Sequence, residues 1–97
     1  MKKLEIKEYT KHIDKFKGLM FKKNFDYGLK LRCNGIHTFF MKKPIDVILT
    51  DKTGTIIKIY KNVKPNRIIL PKKNVYYTYE LPINKINNIK ENTKLNI

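Results

Sequence analysis

At residues 45–60 the chain has the sequence Ile45-Asp46-Val47-Ile48-Leu49-Thr50-Asp51-Lys52-Thr53-Gly54-Thr55-Ile56-Ile57-Lys58-Ile59-Tyr60. Two runs rich in isoleucine, valine and threonine flank a polar stretch that ends in Gly54. β-Branched residues favour strands, and a glycine allows the positive φ that many tight turns require. We therefore predict a β-hairpin with strands at 45–50 and 55–60.

Alternation of apolar and polar residues extends the β prediction to most of the chain. It predicts strands at about 2–9, 29–33 and 75–81, short strands at 67–70 and 94–97, and a central strand at 36–41 that is covered on both faces. Pro44 ends the strand at 36–41, because proline cannot donate a ladder hydrogen bond. About seven short strands separated by turns predict a mainly β domain, built as a small antiparallel barrel or a sandwich.

Two segments have a helical period instead. Phe16, Leu19 and Met20 share one face of a short predicted helix, for which Thr10 and Asp14 are candidate N-caps. The isoleucines within residues 83–89 are spaced by three, which predicts a short helix or a 3₁₀ turn. We therefore expect one or two short helices beside the strands.

The chain has 97 residues and a formal net charge of +14. Its length predicts one domain over residues 1–97 with a single core. Twenty of its 22 basic residues are lysine, and alanine, glutamine, serine and tryptophan are absent. Because lysine, asparagine and isoleucine have A/T-rich codons, genome composition is one source of the charge. A positive surface attracts phosphates whatever its origin, but base recognition usually relies on arginine, so with only Arg32 and Arg67 we expect at most non-specific nucleic-acid binding.

The compartment is predicted from three absences. The first twelve residues carry charge but not the apolar core of a signal peptide, and no apolar run approaches the ~20 residues that span a bilayer. Cys33 is the single cysteine, so no internal disulfide forms. We expect a cytoplasmic, reduced protein without membrane association, and we expect it to be a monomer.

Common catalytic and metal-binding motifs are missing from the sequence. It contains no Walker loop and no GxGxxG, GxSxG or HExxH motif. The absence of serine excludes a catalytic serine, and a single cysteine excludes zinc sites built on CxxC pairs. We therefore predict no cofactor and no metal ion.

One group of chemically capable residues remains in the centre of the chain. Cys33 and His37 are four residues apart, and Thr38 and Asp46 follow. In an extended strand Cys33 and His37 would lie on one face about 13 Å apart, and a bend at Asn34-Gly35 would bring them closer. A thiol, an imidazole and a carboxylate can bind a metal or form a nucleophile and its base. The alternative is structural, because a buried cysteine behaves as a small apolar residue and an aspartate can bond a turn.

A run of aromatic residues, Tyr76-Tyr77-Thr78-Tyr79, follows Lys72 and Lys73. Aromatic side chains beside lysines can stack nucleic-acid bases. Aromatic residues also favour strands, and Tyr77 and Tyr79 fall on the inward face of the strand predicted at 75–81. We favour the structural interpretation of this run.

Residues 28–47 have the sequence Gly28-Leu29-Lys30-Leu31-Arg32-Cys33-Asn34-Gly35-Ile36-His37-Thr38-Phe39-Phe40-Met41-Lys42-Lys43-Pro44-Ile45-Asp46-Val47. This block resembles the DUF192 family, in the subgroup with the core C-x-x-I-H-T-x-x-M-x-x-P-I-D-V. Shorter matches flank it at Gly18-Leu19-Met20, at the turn from Asp51 to Gly54, at Val63-Lys64-Pro65 and at Tyr79-Glu80-Leu81-Pro82. The resemblance covers about residues 9–97, nearly the whole chain.

The resemblance implies a small, mainly β single domain, built as a compact barrel or jelly-roll-like sandwich, with no established activity, substrate or cofactor. The family positions that match here are Cys33, Ile36, His37, Thr38, Met41, Pro44, Asp46, Asp51 and Gly54. The recurrence of His37, Thr38 and Asp46 in one block implies a shared pocket. Asn88 and Asn92-Thr93 stand where the family has glycine turns, and because asparagine tolerates the left-handed conformation, we expect those turns to survive.

The sequence supports three hypotheses about function. The first is a non-enzymatic binding domain for a small ligand or a protein partner, through a pocket near His37 and Asp46 that includes Thr38, Cys33 and Met41. The second is a metal- or thiol-dependent enzyme that uses Cys33, His37 and Asp46. The third is non-specific nucleic-acid binding through the lysine-rich surface. We prefer the first, because its polar residues form a cluster set within an apolar strand pair.

Overall fold

The computed structural model describes residues 4–9 and 26–96, which form seven strands in two sheets and confirm a mainly β domain. The strands are β1 (Glu5–Tyr9), β2 (Tyr27–Leu31), β3 (Ile36–His37), β4 (Ile45–Thr50), β5 (Ile56–Val63), β6 (Ile68–Ile69) and β7 (Tyr77–Pro82). Five strands form one sheet in the order β1-β2-β7-β4-β5, and β3 pairs with β6 in a separate two-stranded ribbon. The described part of the chain contains no helix, and hence none that is long and apolar enough to cross a membrane.

The hairpin predicted at residues 45–60 is present as β4 and β5. The two strands pair antiparallel, with Ile48 opposite Ile59. Gly54 has a φ of 91°, and its N–H donates to the Asp51 carbonyl over 3.2 Å, which closes the turn. All of β4 is buried, because the strand has a neighbour on each edge and apolar side chains packed on each face. The predicted strand at 45–50 is therefore an inner strand of the sheet.

The Asp51 carboxylate stabilises this turn. Its Oδ1 accepts hydrogen bonds from the Thr53 hydroxyl at 2.7 Å and from the N–H groups of Thr53 and Thr55 at 2.9 and 3.0 Å. The Thr53 hydroxyl bond and then the Thr55 N–H bond favour the charged form, and so they lower the pKa of Asp51. Because the folded-state pKa lies below the unfolded one, this stabilisation is complete above the ordinary carboxyl pKa and is lost as the pH falls through the lowered value.

An NMR titration of the Asp51 carboxyl group tests this cause of the lowered pKa. In a Thr53→Val variant, which lacks the hydroxyl donor, we expect the titration midpoint of Asp51 to move upward towards the ordinary carboxyl value. A midpoint that is the same in the variant and in the unaltered protein would show that the Thr53 hydroxyl is not the cause.

The sheet is not a closed antiparallel barrel, which was one of the two architectures that the sequence predicted. β1 pairs with β2 in parallel, with Glu5 opposite Tyr27. β1 and β5 each have one strand neighbour, so the described strands do not close into a barrel. Parallel neighbours need a crossover of about a dozen or more residues, and residues 10–26 between β1 and β2 supply that length. The helix predicted around residues 16–20 lies outside the described residues.

The central strand predicted at residues 36–41 is wrong. β3 ends at His37, and the backbone then turns, with the Met41 N–H donating to the Thr38 carbonyl over 3.2 Å. β3 belongs to the ribbon, while β7 and β4 take inner positions of the five-stranded sheet. The apolar run was misleading because Phe39 and Phe40 lie exposed on a turn rather than buried in a strand.

The helix or 3₁₀ turn predicted at residues 83–89 is also wrong, because residues 83–96 form turns and bends. Three asparagines in this segment have φ between 60° and 69°, which a right-handed helix cannot accommodate. They are Asn84, Asn88 and Asn92. The strand predicted at 94–97 is reduced to one bridge between Lys94 and Thr55.

Alternation along β4 separates two apolar layers. The side chains of Ile45, Val47 and Leu49 point to one face of the five-stranded sheet, and Ile48 points to the other. The first layer, cluster 1, also contains Leu29, Leu31, Met41, Ile69 and Val75, with Ile36 packed against it. The second, cluster 2, also contains Ile56, Tyr79, Leu81 and Ile86, with Ile89 and Leu95 packed against it. The ribbon of β3 and β6 thus packs on one face of the sheet and the C-terminal segment on the other.

Candidate functional site

Thr38 is completely buried and joins the loop after β3 to the loop after β5. Its Oγ1 donates to the Lys64 carbonyl at 2.8 Å and accepts from the Arg67 N–H at 2.8 Å. Its own N–H donates to the Arg67 carbonyl, and its carbonyl accepts from the N–H groups of Asn66 and Met41. Every polar group of Thr38 therefore has a partner inside the protein, and the residue fixes the position of two loops.

Asp46 is a buried carboxylate that binds two backbone N–H groups and one ammonium group. Its Oδ1 accepts from the Asn62 N–H at 2.8 Å, and its Oδ2 accepts from the Asn84 N–H at 3.2 Å. The Lys61 ammonium lies 3.1 Å from Oδ2 and also donates to the Ile86 carbonyl at 3.2 Å. Asn62 and Asn84 both have positive φ, at 55° and 62°. The carboxylate therefore connects β4 to two left-handed backbone positions, one in β5 and one after β7.

Cys33 and Met41 contribute to the core. Met41 is buried within cluster 1, and the half-buried Cys33 packs against that cluster. The Cys33 carbonyl accepts from the Thr78 hydroxyl at 3.0 Å, which joins the segment after β2 to β7. In this structure both side chains serve packing.

His37 is half-buried and lies beside exposed apolar residues of the ribbon and of the turn that follows β3. Its ring stacks on Phe39 with the ring centroids 4.9 Å apart, and its Nδ1 accepts from the Phe39 N–H at 3.2 Å. On the other strand of the ribbon, Ile68 pairs with His37. The side chains of Phe40, Ile68 and Leu70 are 59%, 61% and 72% exposed. We call His37, Phe39, Phe40, Ile68 and Leu70 the apolar face.

The backbone of Phe40 is strained. Its φ is 64°, in the left-handed region that a bulky aromatic residue rarely occupies. That conformation costs about 1–2 kcal/mol for an ordinary L-residue, and it persists only where the surrounding structure enforces it. The hydrogen bonds of Thr38 enforce it here, because the Met41 N–H bond to the Thr38 carbonyl closes the turn that contains Phe40. The structure thus holds an aromatic ring at the surface at a cost in stability.

The predicted site residues lie in separate environments. Asp46 stands between Ile45 and Val47, whose side chains belong to cluster 1, so its carboxylate lies on the opposite face of the sheet from Met41. Within residues 4–9 and 26–96, no three His, Cys, Asp or Glu side chains form a group that could hold a metal ion. Cys33, His37 and Asp46 therefore do not form the shared metal site of the second hypothesis.

A small cleft lies at the end of the sheet where β4 begins and β7 ends. It has a volume of about 180 Å³ and is lined by Lys43, Pro44, Pro82 and Ile83. It adjoins the segment that Asp46 holds, because Ile83 precedes Asn84 in the chain. Ligand pockets usually enclose about 300–1,000 Å³, so this cleft is small for a metabolite.

Glu80 is a buried carboxylate that sequence reasoning did not single out. It is 4% exposed on β7, opposite Leu29 on one side and Val47 on the other. Alternation along the strand had placed it on the outward face. The signal that was present is the Leu-Glu-Leu-Pro motif of the family, matched at residues 79–82, in which a charged residue recurs within a strand.

Comparison with known proteins gives a family but no activity. The model of the DUF192 family, described as an uncharacterised ACR, matches residues 2–97. UPF0127 proteins of Thermococcus sibiricus, Thermococcus kodakarensis and Pyrococcus horikoshii are 35%, 34% and 37% identical over 74%, 84% and 80% of this chain. The matches cover 51%, 56% and 72% of those proteins, so the chain spans about half the length of the first two.

Two solved structures share the fold. A protein of unknown function from Novosphingobium aromaticivorans has a TM-score of 0.75 at 14% identity, over 84% of this chain and 64% of that one. A putative transcription regulator from Sinorhizobium meliloti has a TM-score of 0.73 at 21% identity, over 82% of this chain and 69% of that one. At these identities the similarity shows the fold alone.

Proposed function

The chain belongs to the DUF192 family, which is uncharacterised, and we propose that it is a non-enzymatic protein-binding domain whose interaction surface is the apolar face. The observation that carries the proposal is a set of exposed apolar residues on neighbouring segments, in which Phe39 stacks on His37, Ile68 pairs with His37 across the ribbon, and Phe40 and Leu70 lie close to them in the chain. Contiguous exposed apolar surface marks interaction sites in soluble proteins. The first sequence hypothesis allowed either a small ligand or a protein partner, and the proposal keeps only the protein partner.

A small ligand has less support than a protein partner. Thr38 and Asp46 direct their polar atoms to partners within the chain. The cleft at Pro44 has about 180 Å³, below the usual range for ligand pockets. The side chains of the apolar face project into solvent, which suits insertion into a partner's surface better than enclosure of a ligand.

The charge beside the apolar face favours a partner that carries acidic groups. Five exposed basic residues lie close to the face in sequence: Lys42, Lys43, Lys64, Arg67 and Lys72. The sequence contains no Asp or Glu from 27 to 45 or from 52 to 79. A second copy of this chain would add a net charge of +14 to the complex, and like charges repel. The partner that fits is an apolar segment flanked by Asp or Glu.

Replacing Phe40 with asparagine should make the protein more stable and weaken its binding to a partner. Asparagine accepts the left-handed conformation, so we expect Phe40→Asn to raise the free energy of unfolding by about 1 kcal/mol in urea denaturation. The same change removes an exposed ring, and we expect about a tenfold or greater loss of partner affinity, because buried aromatic anchors dominate interface energies. Ile83→Asn removes an exposed apolar side chain at the cleft instead, and it should leave binding unchanged.

A synthetic peptide of alternating leucine and glutamate serves as the binding probe in an NMR titration. We expect its addition to shift the amide signals of residues 36–43 and 66–70, and we expect this response to weaken in Phe40→Asn. A peptide with lysine in place of glutamate is the control and should give no response. Equal responses to the two peptides would contradict the proposal. A response to phosphatidylserine vesicles without a response to the acidic peptide would contradict it too, since the face would then bind membranes.

A further inference from the structure

A second surface cluster combines tyrosine rings with cations at one end of the five-stranded sheet. The rings of Tyr76 and Tyr77 meet edge to face with centroids 4.7 Å apart. Lys30 Nζ lies 4.2 Å from the ring centroid of Tyr77. The Arg32 guanidinium carbon and Lys52 Nζ lie 5.0 and 5.8 Å from the ring centroid of Tyr76. We call these five side chains the tyrosine–cation cluster.

The three cations of the cluster differ in how they are held. Lys30 is held on two sides, because its ammonium lies 4.0 Å from the Glu8 carboxylate and over the ring of Tyr77. Arg32 and Lys52 are exposed. A cation–π contact at an exposed site is weak, so Lys52 can exchange the ring for a phosphate at little cost, while the exposed Arg32 guanidinium adds a second positive charge beside it.

The cluster has a net positive charge, because its three cations outnumber the Glu8 carboxylate that pairs with Lys30. No Asp or Glu occurs in the sequence from 27 to 45 or from 52 to 79, the two stretches that supply all five side chains. Three cations gathered around two adjacent rings create a local positive potential that attracts anions. The rings add a second kind of contact, because an aromatic face can stack on other π systems, such as nucleic-acid bases, as well as bind cations.

We infer that the tyrosine–cation cluster binds single-stranded nucleic acid. Phosphates bind at Arg32 and Lys52, Lys52 leaves the ring of Tyr76, and an unpaired base stacks on that ring, because base–aromatic stacking is stronger than an exposed cation–π contact. Lys30 remains over Tyr77 as a fixed positive charge. A duplex buries the faces of its bases in its own stack, so the ring favours single strands over duplexes.

This site is distinct from the apolar face. Tyr77 packs against cluster 2, whereas the ribbon of β3 and β6 packs against cluster 1, on the other face of the sheet. The Phe40→Asn variant should therefore bind nucleic acid as the unaltered protein does. Failure of one proposal does not imply failure of the other.

Anisotropy of a fluorescent oligothymidylate of about twelve nucleotides, a length typical of single-strand sites, measures this binding. Tyr76→Leu should weaken it about tenfold, and Tyr76→Phe, which keeps the ring, should bind normally. Inorganic polyphosphate has no bases, so it should bind the Tyr76→Leu protein as tightly as the unaltered one. If Tyr76→Leu keeps full affinity for oligothymidylate, or loses affinity for polyphosphate to the same extent, the inference is overturned.

Two double variants with the same loss of charge test the cations. The affinity falls as the salt concentration rises. Combining Arg32→Gln with Lys52→Gln should make the plot of log affinity against log salt less steep by about 1.4, since each phosphate contact to a single strand contributes about 0.7 to its steepness. Combining Lys85→Gln with Lys90→Gln removes two exposed charges outside the cluster and should leave the slope unchanged. Equal slopes in the two double variants would mean that general positive charge attracts the strand, and the inference would be wrong.

Discussion

Replacing Thr38 with valine should lower the free energy of unfolding by about 2–4 kcal/mol. The change keeps the shape of the side chain but removes the hydroxyl that bonds the Lys64 carbonyl and the Arg67 N–H. The Lys64 carbonyl and the Arg67 N–H each lose this partner in a partly buried contact, at a cost of about 1–3 kcal/mol per group. A domain of this size has a total stability of about 5–15 kcal/mol, so a single hydroxyl accounts for a large share of it.

Urea denaturation measures this loss, and Thr50→Val is the matched control. Thr50 is also fully buried, but its hydroxyl donates one bond, to the Asp51 carbonyl, so we expect a loss of about 1 kcal/mol. Thr38→Val should also speed hydrogen exchange at the amides of Met41 and Asn66, because both donate to the Thr38 carbonyl. Equal losses of stability in the two variants would show that Thr38 has no special role in joining the loops.

The same contacts show how a buried polar residue shapes an exposed surface. Thr38 closes the turn that carries Phe39 and Phe40, and its bonds to the loop after β5 hold that turn against the sheet. These bonds offset the strain at Phe40. The Ile-His-Thr part of the family motif therefore has a physical explanation, in which Ile36 packs against the core, His37 stacks with Phe39, and Thr38 fixes the loop.

Local patterns predicted strands where neighbours in sequence are also neighbours in space. The hairpin of β4 and β5 requires a turn and two β-branched runs, and residues 45–60 contain both. Alternation does not record strand order or direction, because it places the same side chains of β1 and β2 on the inward face whether the two strands run parallel or antiparallel. The error at residues 36–41 has a tertiary cause as well, since the exposure of Phe40 depends on bonds that Thr38 makes to a distant loop.

Asparagine content carries structural information in this chain. Of the nine asparagines within residues 4–9 and 26–96, six have positive φ: Asn62, Asn66, Asn74, Asn84, Asn88 and Asn92. Asparagine tolerates this conformation better than most residues with a side chain. The turns expected at Asn88 and Asn92 are therefore confirmed, and Asn62 and Asn84 present their N–H groups to Asp46. The asparagine content of this chain therefore has a structural use in its turns.

Of the five residues of the apolar face, the sequence singled out only His37, and the other predicted site residues lie in separate environments. The partners of Asp46 include backbone N–H groups, which nearly every residue type carries, so no residue pattern shows that this carboxylate is satisfied within the chain. The residues at 67–70 were predicted as a strand, yet the exposure of Ile68 follows from the pairing of Ile69 with Ile36, which are far apart in sequence. The apolar face is therefore a tertiary feature.

Replacing Asp46 with alanine should have the largest effect on stability, a loss of about 3–5 kcal/mol. The N–H groups of Asn62 and Asn84 both lose a charged acceptor, and each such bond contributes about 1.5–3 kcal/mol. The ion pair adds much less, because the Lys61 side chain is 49% exposed and solvent screens exposed pairs. We therefore expect Lys61→Met to cost about 1 kcal/mol or less.

Urea denaturation of Asp46→Ala, Asp46→Asn and Lys61→Met ranks these contributions. Asp46→Asn keeps one oxygen acceptor and should fall between the other two. If Lys61→Met were as costly as Asp46→Ala, the ion pair rather than the N–H groups would hold the two asparagine turns. A ligand-binding role would give a different result, because loss of the carboxylate would abolish binding and leave stability intact. We expect the opposite from Asp46→Asn, which should be less stable and still bind the acidic peptide, since its side chain lies on the sheet face away from the ribbon that carries the apolar face.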